Sequence, residues 1–213
     1  MIKILYNKFD KQLISQLPLA EFEGKIVVVV NPKETKKAVD YLLKSEILGV
    51  DTETRPSFKR GRVHLVSLLQ VSNMDTCFLF RLNYTGITSD IKRLLEDVTV
   101  PKVGLSLHDD VISLSKRANF TPGAFIDLQH HVKELGVEDL SLQKLYANFF
   151  GEKISKAQQL SNWEADILSE KQKKYAATDA WACIMIYKEY LRLKESNDFI
   201  LKTVQQQEET EES

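Results

Sequence analysis

Carboxylates stand inside apolar segments at widely separated points of this chain, and that pattern limits how it can fold. Asp51 and Glu53 follow the run Ile-Leu-Gly-Val at 47–50, and Asp179 lies among alanines at 176–182. Carboxylates gathered at one place repel each other and their pKa values rise, unless a cation lies among them. Oxygen ligands favour hard ions such as Mg²⁺ or Mn²⁺. The sequence therefore favours a fold in which these distant segments share a cation.

Length and composition indicate one soluble globular domain. The chain has 213 residues, of which 43% are hydrophobic and 28% are charged, as in ordinary globular domains. No run approaches the roughly 18 apolar residues of a membrane span, so we expect no membrane partner. The first residues lack the apolar core of a signal peptide. Cys77 and Cys183 are too few for a disulfide framework or a thiolate zinc site, and we expect buried, reduced thiols in a cytoplasmic protein.

The charge balance permits a polyanionic partner. The net charge is −1, but the end of the chain resembles a disordered acidic tail. Removing the four negative charges of that tail changes −1 to +3. The glutamates concerned are Glu208, Glu209, Glu211 and Glu212. The rest of the chain is therefore moderately basic, which is compatible with nucleic acid.

Hydrophobic periodicity predicts strands first and helices later. We predict strands at 25–30, 47–54, 63–71, 76–82 and 102–107, with a hairpin turn at 72–75. We predict helices at 33–44, 87–95, 111–118, 127–135, 142–149 and 170–193. The result is one α/β domain with a mixed β-sheet of about five strands flanked by helices. An antiparallel meander precedes a helical crossover in this layout.

Asp51 and Glu53 are the first candidate site residues. They are two positions apart on a predicted strand, so both side chains project from one face. A strand end with merely solvated acids would explain the same pattern.

The other candidates are on predicted helices. Asp109 and Asp110 follow the strand at 102–107, where either could instead cap the next helix and interact with its dipole. Tyr175 and Asp179 are four residues apart and share one helix face. These two residues also have a structural interpretation, in which Tyr175 is an ordinary core residue and Asp179 is exposed to solvent. The surrounding alanines make solvation of Asp179 unfavourable.

Taken together, these segments resemble the DEDD-type 3′–5′ exonucleases, in the DEDDy branch that has tyrosine in its third motif. The first motif is Asp51-Thr-Glu53, followed by Leu-Leu-Gln-Val at 68–71, the second ends at Asp110, and the third is Tyr175-Ala-Ala-Thr-Asp179. The segment 161–175 is similar to that of Werner-type exonuclease domains, and the pattern is also similar to ribonuclease D catalytic domains. The resemblance covers about residues 25–194. His108 and Asp109 depart from it, since relatives often have small or neutral residues there.

The resemblance implies an RNase H-like fold and an active site. It implies two divalent ions, Mg²⁺ or Mn²⁺, held roughly 3.5–4 Å apart by Asp51, Glu53, Asp110 and Asp179. It assigns Tyr175 to hold the attacking water in line rather than to act as the main base, since its ordinary pKa is near 10. The implied reaction is hydrolysis from the 3′ end of nucleic acid, single-stranded or frayed, to nucleoside 5′-monophosphates.

Further residues are needed to hold the strand. The loop at 55–62 combines positive residues with an aromatic one, which suits phosphates and a stacked base. The candidates in this loop are Phe58, Lys59, Arg60 and Arg62. Lys156 is a candidate in a second surface, which also includes Lys153 and Gln158. A solvated basic loop is the alternative. Trp163 is expected in the core, and Leu68 and Gln70 in support of the sheet. The four histidines, one in a predicted strand at His64, are given no catalytic part.

Three functional hypotheses follow. The first is an exonuclease that prefers DNA, because the third-motif region is closer to the Werner type. The second is a ribonuclease D-like enzyme that processes RNA 3′ ends, and the third is an inactive nucleic-acid-binding scaffold. We divide the chain into an N-terminal extension at 1–24, the exonuclease domain at 25–196 and an acidic, disordered tail at 197–213, and we expect a monomer.

Overall fold

Two separate β-sheets and eight helices form the part of the chain that this computed structural model describes, which is residues 2–57, 61 and 63–204. The strands are β1 (Lys3–Tyr6), β2 (Lys25–Val29), β3 (Leu48–Glu53), β4 (Leu68–Ser72), β5 (Thr76–Arg81), β6 (Lys102–Gly104), β7 (Phe125–Asp127) and β8 (Phe199–Lys202). The helices are α1 (Lys11–Ile14), α2 (Pro32–Leu42), α3 (Leu82–Thr85), α4 (Ser89–Glu96), α5 (Leu107–Ser115), α6 (Leu128–Glu134), α7 (Leu142–Phe150) and α8 (Glu170–Ser196).

The larger sheet has six strands in the order β2-β5-β4-β3-β6-β7. Strands β3, β4 and β5 form the predicted antiparallel meander, whereas β2, β6 and β7 run parallel to β5, β3 and β6. The α/β class with a mixed, helix-flanked sheet is thus confirmed. The sixth strand, β7, was not predicted, because three half-buried residues are too few to show alternation.

The two faces of this sheet contact different helices. On one face, Val50 and Phe80 pack in an apolar cluster with Leu42 of α2 and Leu94 of α4. On the other face, long helix α8 contacts β3, β4, β5 and β6, and Ala176 packs there among buried residues of the sheet. The sheet is therefore the middle layer between helices, and β3 lies in its interior.

A second, two-stranded sheet joins the two ends of the described chain. Strand β1 pairs in parallel with β8, with Ile4 opposite Ile200. The Val204 backbone N–H donates to Asn7 Oδ1 at 2.8 Å, and Lys3 forms an ion pair with Glu189 of α8. The prediction of a disordered tail from residue 197 is therefore wrong for β8, because hydrogen bonds to β1 order this segment. The acidic residues at 205–213 lie outside the described residues.

Two predicted strands have different bounds in the structure. The strand expected at 63–71 begins only at Leu68, and His64 is not in a strand, because the Val66 carbonyl accepts from the Arg117 side chain instead of a neighbouring strand. The strand expected at 102–107 ends at Gly104. There the chain turns through Ser106, which has a left-handed φ of 59°, and α5 starts four residues before the predicted position 111.

The remaining sequence predictions about the core agree with the structure. Helices α2, α4, α6, α7 and α8 occupy the predicted segments within a few residues. Cys77 and Cys183 are buried free thiols, and the Trp163 side chain is fully buried. Within the described ranges, none of the helices is both long and apolar enough to cross a membrane.

Candidate active site

The floor of the candidate site is the C-terminal half of β3. Asp51 and Glu53 alternate with Thr52 on this strand, so both carboxylates are on the face toward α8. Gly49 is on the same face, where the absence of a side chain lets the helix approach. A Cβ atom at Gly49 would lie 1.8 Å from the carbonyl oxygen of Ala180. This close approach brings α8 directly over the two carboxylates.

Helix α8 supplies Tyr175 and Asp179, which are buried one turn apart on its sheet-facing side. A capping box fixes where the helix begins. Ser169 Oγ accepts from the Gln172 backbone N–H at 3.2 Å, and Gln172 Oε1 accepts from the Ser169 backbone N–H at 3.0 Å. The Trp163 ring packs on the Tyr175 ring with a centroid distance of 5.9 Å. The tyrosine is therefore held by its helix and by the segment before it.

Three of the predicted ligands converge. Asp51, Glu53 and Asp179 each offer one carboxylate oxygen, and these three atoms lie within 4.8 Å of one another. Gln70, opposite Asp51 in the β3–β4 register, donates from Nε2 to Asp51 Oδ2 at 3.4 Å. We expected Gln70 only to support the sheet, whereas it also contacts a carboxylate of the site. A polar residue in the wholly buried strand β4 was the available signal.

Asp110 lies beside this cluster rather than within it. It is in the first turn of α5, and its Oδ1 accepts a hydrogen bond from the hydroxyl of Thr52, the residue between Asp51 and Glu53. Asp110 is still close enough for its charge to raise the pKa of Asp51 and of Glu53. Burial raises the pKa of Asp110 itself to about 6, and the hydrogen bond from Thr52 opposes that rise.

The position of α5 depends on Asp127, a residue that the sequence analysis did not single out. Its carboxylate accepts from the backbone N–H groups of Ser106 at 3.2 Å, Leu107 at 2.9 Å and Gln129 at 2.9 Å. These bonds satisfy free donors at the start of two helices. Neither Asp109 nor Asp110 is the capping residue, since the N-cap position is Ser106. Asp127 therefore fixes the turn from which Asp110 projects.

Burial is the main cause of the raised pKa values in the three-carboxylate cluster. It raises the pKa of Asp51 well above its ordinary range, and the charges of the neighbouring carboxylates add to the rise. It raises the pKa of Glu53 to about 10, together with the charge of Asp51. It raises the pKa of Asp179 to about 7, against a hydrogen bond from Tyr175 that lowers it. The cluster is thus costly to ionise in the protein alone.

Tyr175 remains a protonated phenol under the same influences. Burial, followed by the negative charges of Asp179 and Glu53, raises the pKa of Tyr175 above its ordinary value of 10. Its hydroxyl group therefore acts as a hydrogen-bond donor at neutral pH.

The donor set fits divalent metal ions. All the candidate ligand atoms are carboxylate oxygens, the type that Mg²⁺ and Mn²⁺ prefer. Among the ion pairs formed by residues 2–57, 61 and 63–204, none includes Asp51, Glu53, Asp110 or Asp179. A cation would compensate this negative charge and lower the pKa values that burial and mutual repulsion raise.

A cavity of about 350 Å³ opens over the carboxylates. One side is apolar and contains Leu105, Leu140, Leu142 and Ile154. Lys156 also lines the cavity, and its Nζ donates to Ser141 Oγ at 3.0 Å. Its charge lowers the pKa of Asp179, which places a positive group at the edge of the acidic floor.

The other predicted nucleic-acid contacts, Phe58, Lys59, Arg60 and Arg62, lie outside the described residues. The chain on either side of them is tied to the segment before α8. Glu164 accepts from Arg55 Nη1 at 3.2 Å and contacts His64 Nδ1 at 2.9 Å. This pairing links the chain just after Glu53 with the residue that follows Trp163.

A buried cluster of carboxylates is compatible with a metal-dependent nuclease, and the comparisons with known proteins identify the family. Residues 26–194 match the family model described as 3′–5′ exonuclease. The chain therefore belongs to the 3′–5′ exonuclease family. The resemblance seen in the sequence motifs is confirmed.

Individual relatives agree with this assignment. The mouse bifunctional 3′–5′ exonuclease/ATP-dependent helicase WRN is 29% identical over 185 residues, covering 82% of this chain and 13% of the mouse protein. Exonuclease 3′–5′ domain-containing protein 2 of Drosophila melanogaster is 36% identical over 151 residues, covering 69% of this chain and 26% of that protein. The chain thus spans only a minor part of the length of either relative. Ribonuclease D of Trypanosoma brucei, solved in complex with RNA U12, has the same fold, with a TM-score of 0.70 and 20% sequence identity. The superposition covers 80% of this chain and 63% of the ribonuclease D chain.

Proposed function

We propose that this chain is a metal-dependent 3′–5′ exonuclease that hydrolyses phosphodiester bonds from the 3′ end of nucleic acid and releases nucleoside 5′-monophosphates. The observation that carries the proposal is the convergence of Asp51, Glu53 and Asp179 within 4.8 Å. In a member of the 3′–5′ exonuclease family, such a cluster has a chemical use. A buried acidic cluster without a cation would only destabilise the protein.

In this proposal the carboxylates hold two divalent ions, Mg²⁺ or Mn²⁺. Asp51, Glu53 and Asp179 would supply three of the carboxylate ligands, and Asp110, which is bonded to the Thr52 hydroxyl beside them, would supply the fourth. Bound ions of this kind stabilise charge on the attacking and leaving oxygens of a phosphoryl transfer. The protein contributes by keeping four oxygen ligands in a buried pocket that leaves little water around the reacting phosphate.

Tyr175 positions the attacking water. Because its pKa is raised above the ordinary value of 10, the phenol keeps its proton and directs a hydrogen bond instead of removing a proton. Trp163 and the capping box of α8 hold the ring near Glu53 and Asp179. The role of Tyr175 is therefore orientation of the water.

The cavity suits the terminal nucleotide. The apolar side formed by Leu105, Leu140 and Leu142 accepts the base and sugar, while Lys156 at the edge contacts a phosphate. We retain the proposal that Lys59, Arg60 and Arg62 bind phosphates and that Phe58 stacks on a base, since their neighbour Arg55 is anchored near the site by Glu164.

We propose DNA as the preferred substrate, because residues 161–175 follow the Werner type and the match to mouse WRN covers most of the chain. RNA is the second candidate, supported by the fold shared with a ribonuclease D that was solved with RNA. A monomer in the cytoplasm is the simplest setting, and the two free, buried cysteines agree with a reducing compartment.

Degradation of matched DNA and RNA oligonucleotides, labelled at the 5′ end, tests the proposal. We expect stepwise shortening with Mg²⁺ or Mn²⁺ and none with a chelator. Asp51→Asn and Asp179→Asn should each abolish it, whereas Asp75→Asn, an exposed control, should leave it intact. Full activity in either of the first two variants would refute the ligand assignment. Strand binding without any cleavage in Mn²⁺ would favour the inactive scaffold.

A further inference from the structure

A second cavity, of about 510 Å³, lies next to the cavity over the carboxylates. Both are lined by Gln143, Ile154, Ser155, Lys156 and Tyr175. Tyr175 and Lys156 therefore stand at the junction between the two cavities. We call the second cavity the side groove; it runs away from the carboxylates between α8 and the chain at 153–158.

Part of the side groove is built by chain outside the family match, which begins at residue 26. Residues 19–21 line it and are fixed by backbone hydrogen bonds to Lys153. The Ala20 N–H donates to the Lys153 carbonyl at 2.8 Å, and the Lys153 N–H donates to the Pro18 carbonyl at 2.8 Å. The Phe22 N–H donates to Thr178 Oγ1 of α8 at 3.0 Å. These bonds join the N-terminal segment to both walls of the groove.

The side groove is positively charged. Lys153, Lys156 and Lys171 line it, against the single carboxylate of Glu21. Lys171 is exposed and forms no ion pair with any other residue that the structure describes. It is one helical turn before Tyr175 and two turns before Asp179 on the same face of α8. The axial distance from Lys171 to Asp179 is therefore about 12 Å, at 1.5 Å per residue.

The groove also offers an apolar contact. Leu19 is 54% exposed although it lies beside a positively charged wall. A groove that combines positive charge with apolar side chains suits the phosphates and bases of a single strand. Lys156 and Tyr175 line both this groove and the cavity over the carboxylates.

We propose that the side groove binds the nucleotides immediately upstream of the scissile phosphate, as a single strand, with their phosphates toward Lys171 and Lys156. This inference rests on the proposed exonuclease function and adds to it the path of the strand. The N-terminal segment at 18–22 is then part of the substrate-binding surface, in addition to the domain that the family match covers. Glu21 weakens the binding of phosphates at the same surface.

A charge reversal in the groove, compared with one elsewhere on the same helix, tests this path. Lys171→Glu is the test variant. Lys188→Glu is the matched control, because Lys188 is also exposed on α8 but lines a different cavity. The substrates are a 12-nucleotide single strand and a dinucleotide without terminal phosphates, whose only phosphate is the scissile one, so that no upstream phosphate reaches Lys171. The measured quantity is kcat/KM for the 12-mer divided by kcat/KM for the dinucleotide, with Mg²⁺ at low salt.

We expect Lys171→Glu to lower this ratio about tenfold. In this variant kcat/KM for the 12-mer should also depend less on salt concentration, because one phosphate contact is lost. Lys188→Glu should leave the ratio unchanged, and Glu21→Gln should raise it. An unchanged ratio in Lys171→Glu, or an equal fall in Lys188→Glu, would overturn the proposed path.

Binding separates this inference from the proposed activity. Fluorescence anisotropy of a labelled 12-mer should give a weaker affinity for Lys171→Glu than for Lys188→Glu, whether or not cleavage occurs. If the unaltered protein cleaves neither substrate, the exonuclease proposal fails. Equal affinities of the two variants would exclude the groove even in an active enzyme.

Discussion

Replacing Asp179 with asparagine should stabilise the metal-free protein while it abolishes activity. Burial raises the pKa of Asp179 from 3.8 to about 7. Each pKa unit corresponds to 1.36 kcal/mol, so ionising this group in the folded state costs about 4 kcal/mol at most. Asparagine has nearly the same size, still accepts the hydrogen bond from Tyr175, and carries no charge. We expect Asp179→Asn to gain about 2–4 kcal/mol in free energy of unfolding at pH 8.

The sign of the pH dependence follows from the direction of the shift. Because the folded-state pKa of Asp179 is raised, the folded protein binds more protons than the unfolded chain between pH values of about 4 and 7. The contribution of Asp179 to stability is therefore fully present below its pKa in the unfolded chain. It is lost as the pH rises toward its pKa in the folded protein. The difference between Asp179→Asn and the unaltered protein should nearly vanish at pH 4.

Urea unfolding with a chelator and with Mn²⁺ measures both effects. With the chelator, Asp179→Asn should unfold at a higher urea concentration than the unaltered protein, and Asp75→Asn should match the unaltered protein. Mn²⁺ should stabilise the unaltered protein by about 2.7 kcal/mol at 100 times its dissociation constant, and the variant by less. Equal stability of the unaltered protein and Asp179→Asn with the chelator at pH 8 would refute the electrostatic argument.

Two further variants test orientation and packing. Tyr175→Phe should lower kcat about 100-fold with little change in KM, because the phenol orients water. The pH profile of the unaltered protein should show no loss of activity from ionisation of Tyr175 below pH 10. A purely structural role of Tyr175 would instead appear as a lower stability of Tyr175→Phe in urea. Gly49→Ala should cost about 3 kcal/mol or more of unfolding free energy, since its Cβ would be 1.8 Å from the Ala180 carbonyl oxygen, and a stability near that of the unaltered protein would show that α8 can move away without cost.

Long periodic elements were predictable from the sequence, and short ones were not. The 27-residue helix α8 and the apolar start of β3 carry enough residues to show their period. Strands β1, β7 and β8 have three or four residues each. Their pairing partners are distant in sequence, so only tertiary contacts identify them as strands. The same limit explains why residues 199–202 were assigned to a disordered tail.

The convergence of three carboxylates was predictable, but their arrangement relative to Asp110 was not. The motifs indicated Asp51, Glu53 and Asp179, which converge. The bond between Asp110 and Thr52 was not predictable, because it depends on where α5 begins. That start depends in turn on Asp127, 17 residues after Asp110, whose carboxylate accepts the N–H groups of the turn. A sequence shows that such an aspartate exists, but not which backbone donors it will reach.

The packing that stabilises α8 and the charge that destabilises the site have the same origin. Gly49 lets the backbone of Ala180 approach β3, and Asp179, the residue before Ala180, is carried with it to within 4.8 Å of the oxygens of Asp51 and Glu53. A larger residue at position 49 would separate the carboxylates and relieve their repulsion, but it would also lose the tight contact between helix and sheet. The protein therefore has an acidic pocket as a consequence of good packing, and bound metal ions would compensate the charge that this packing concentrates.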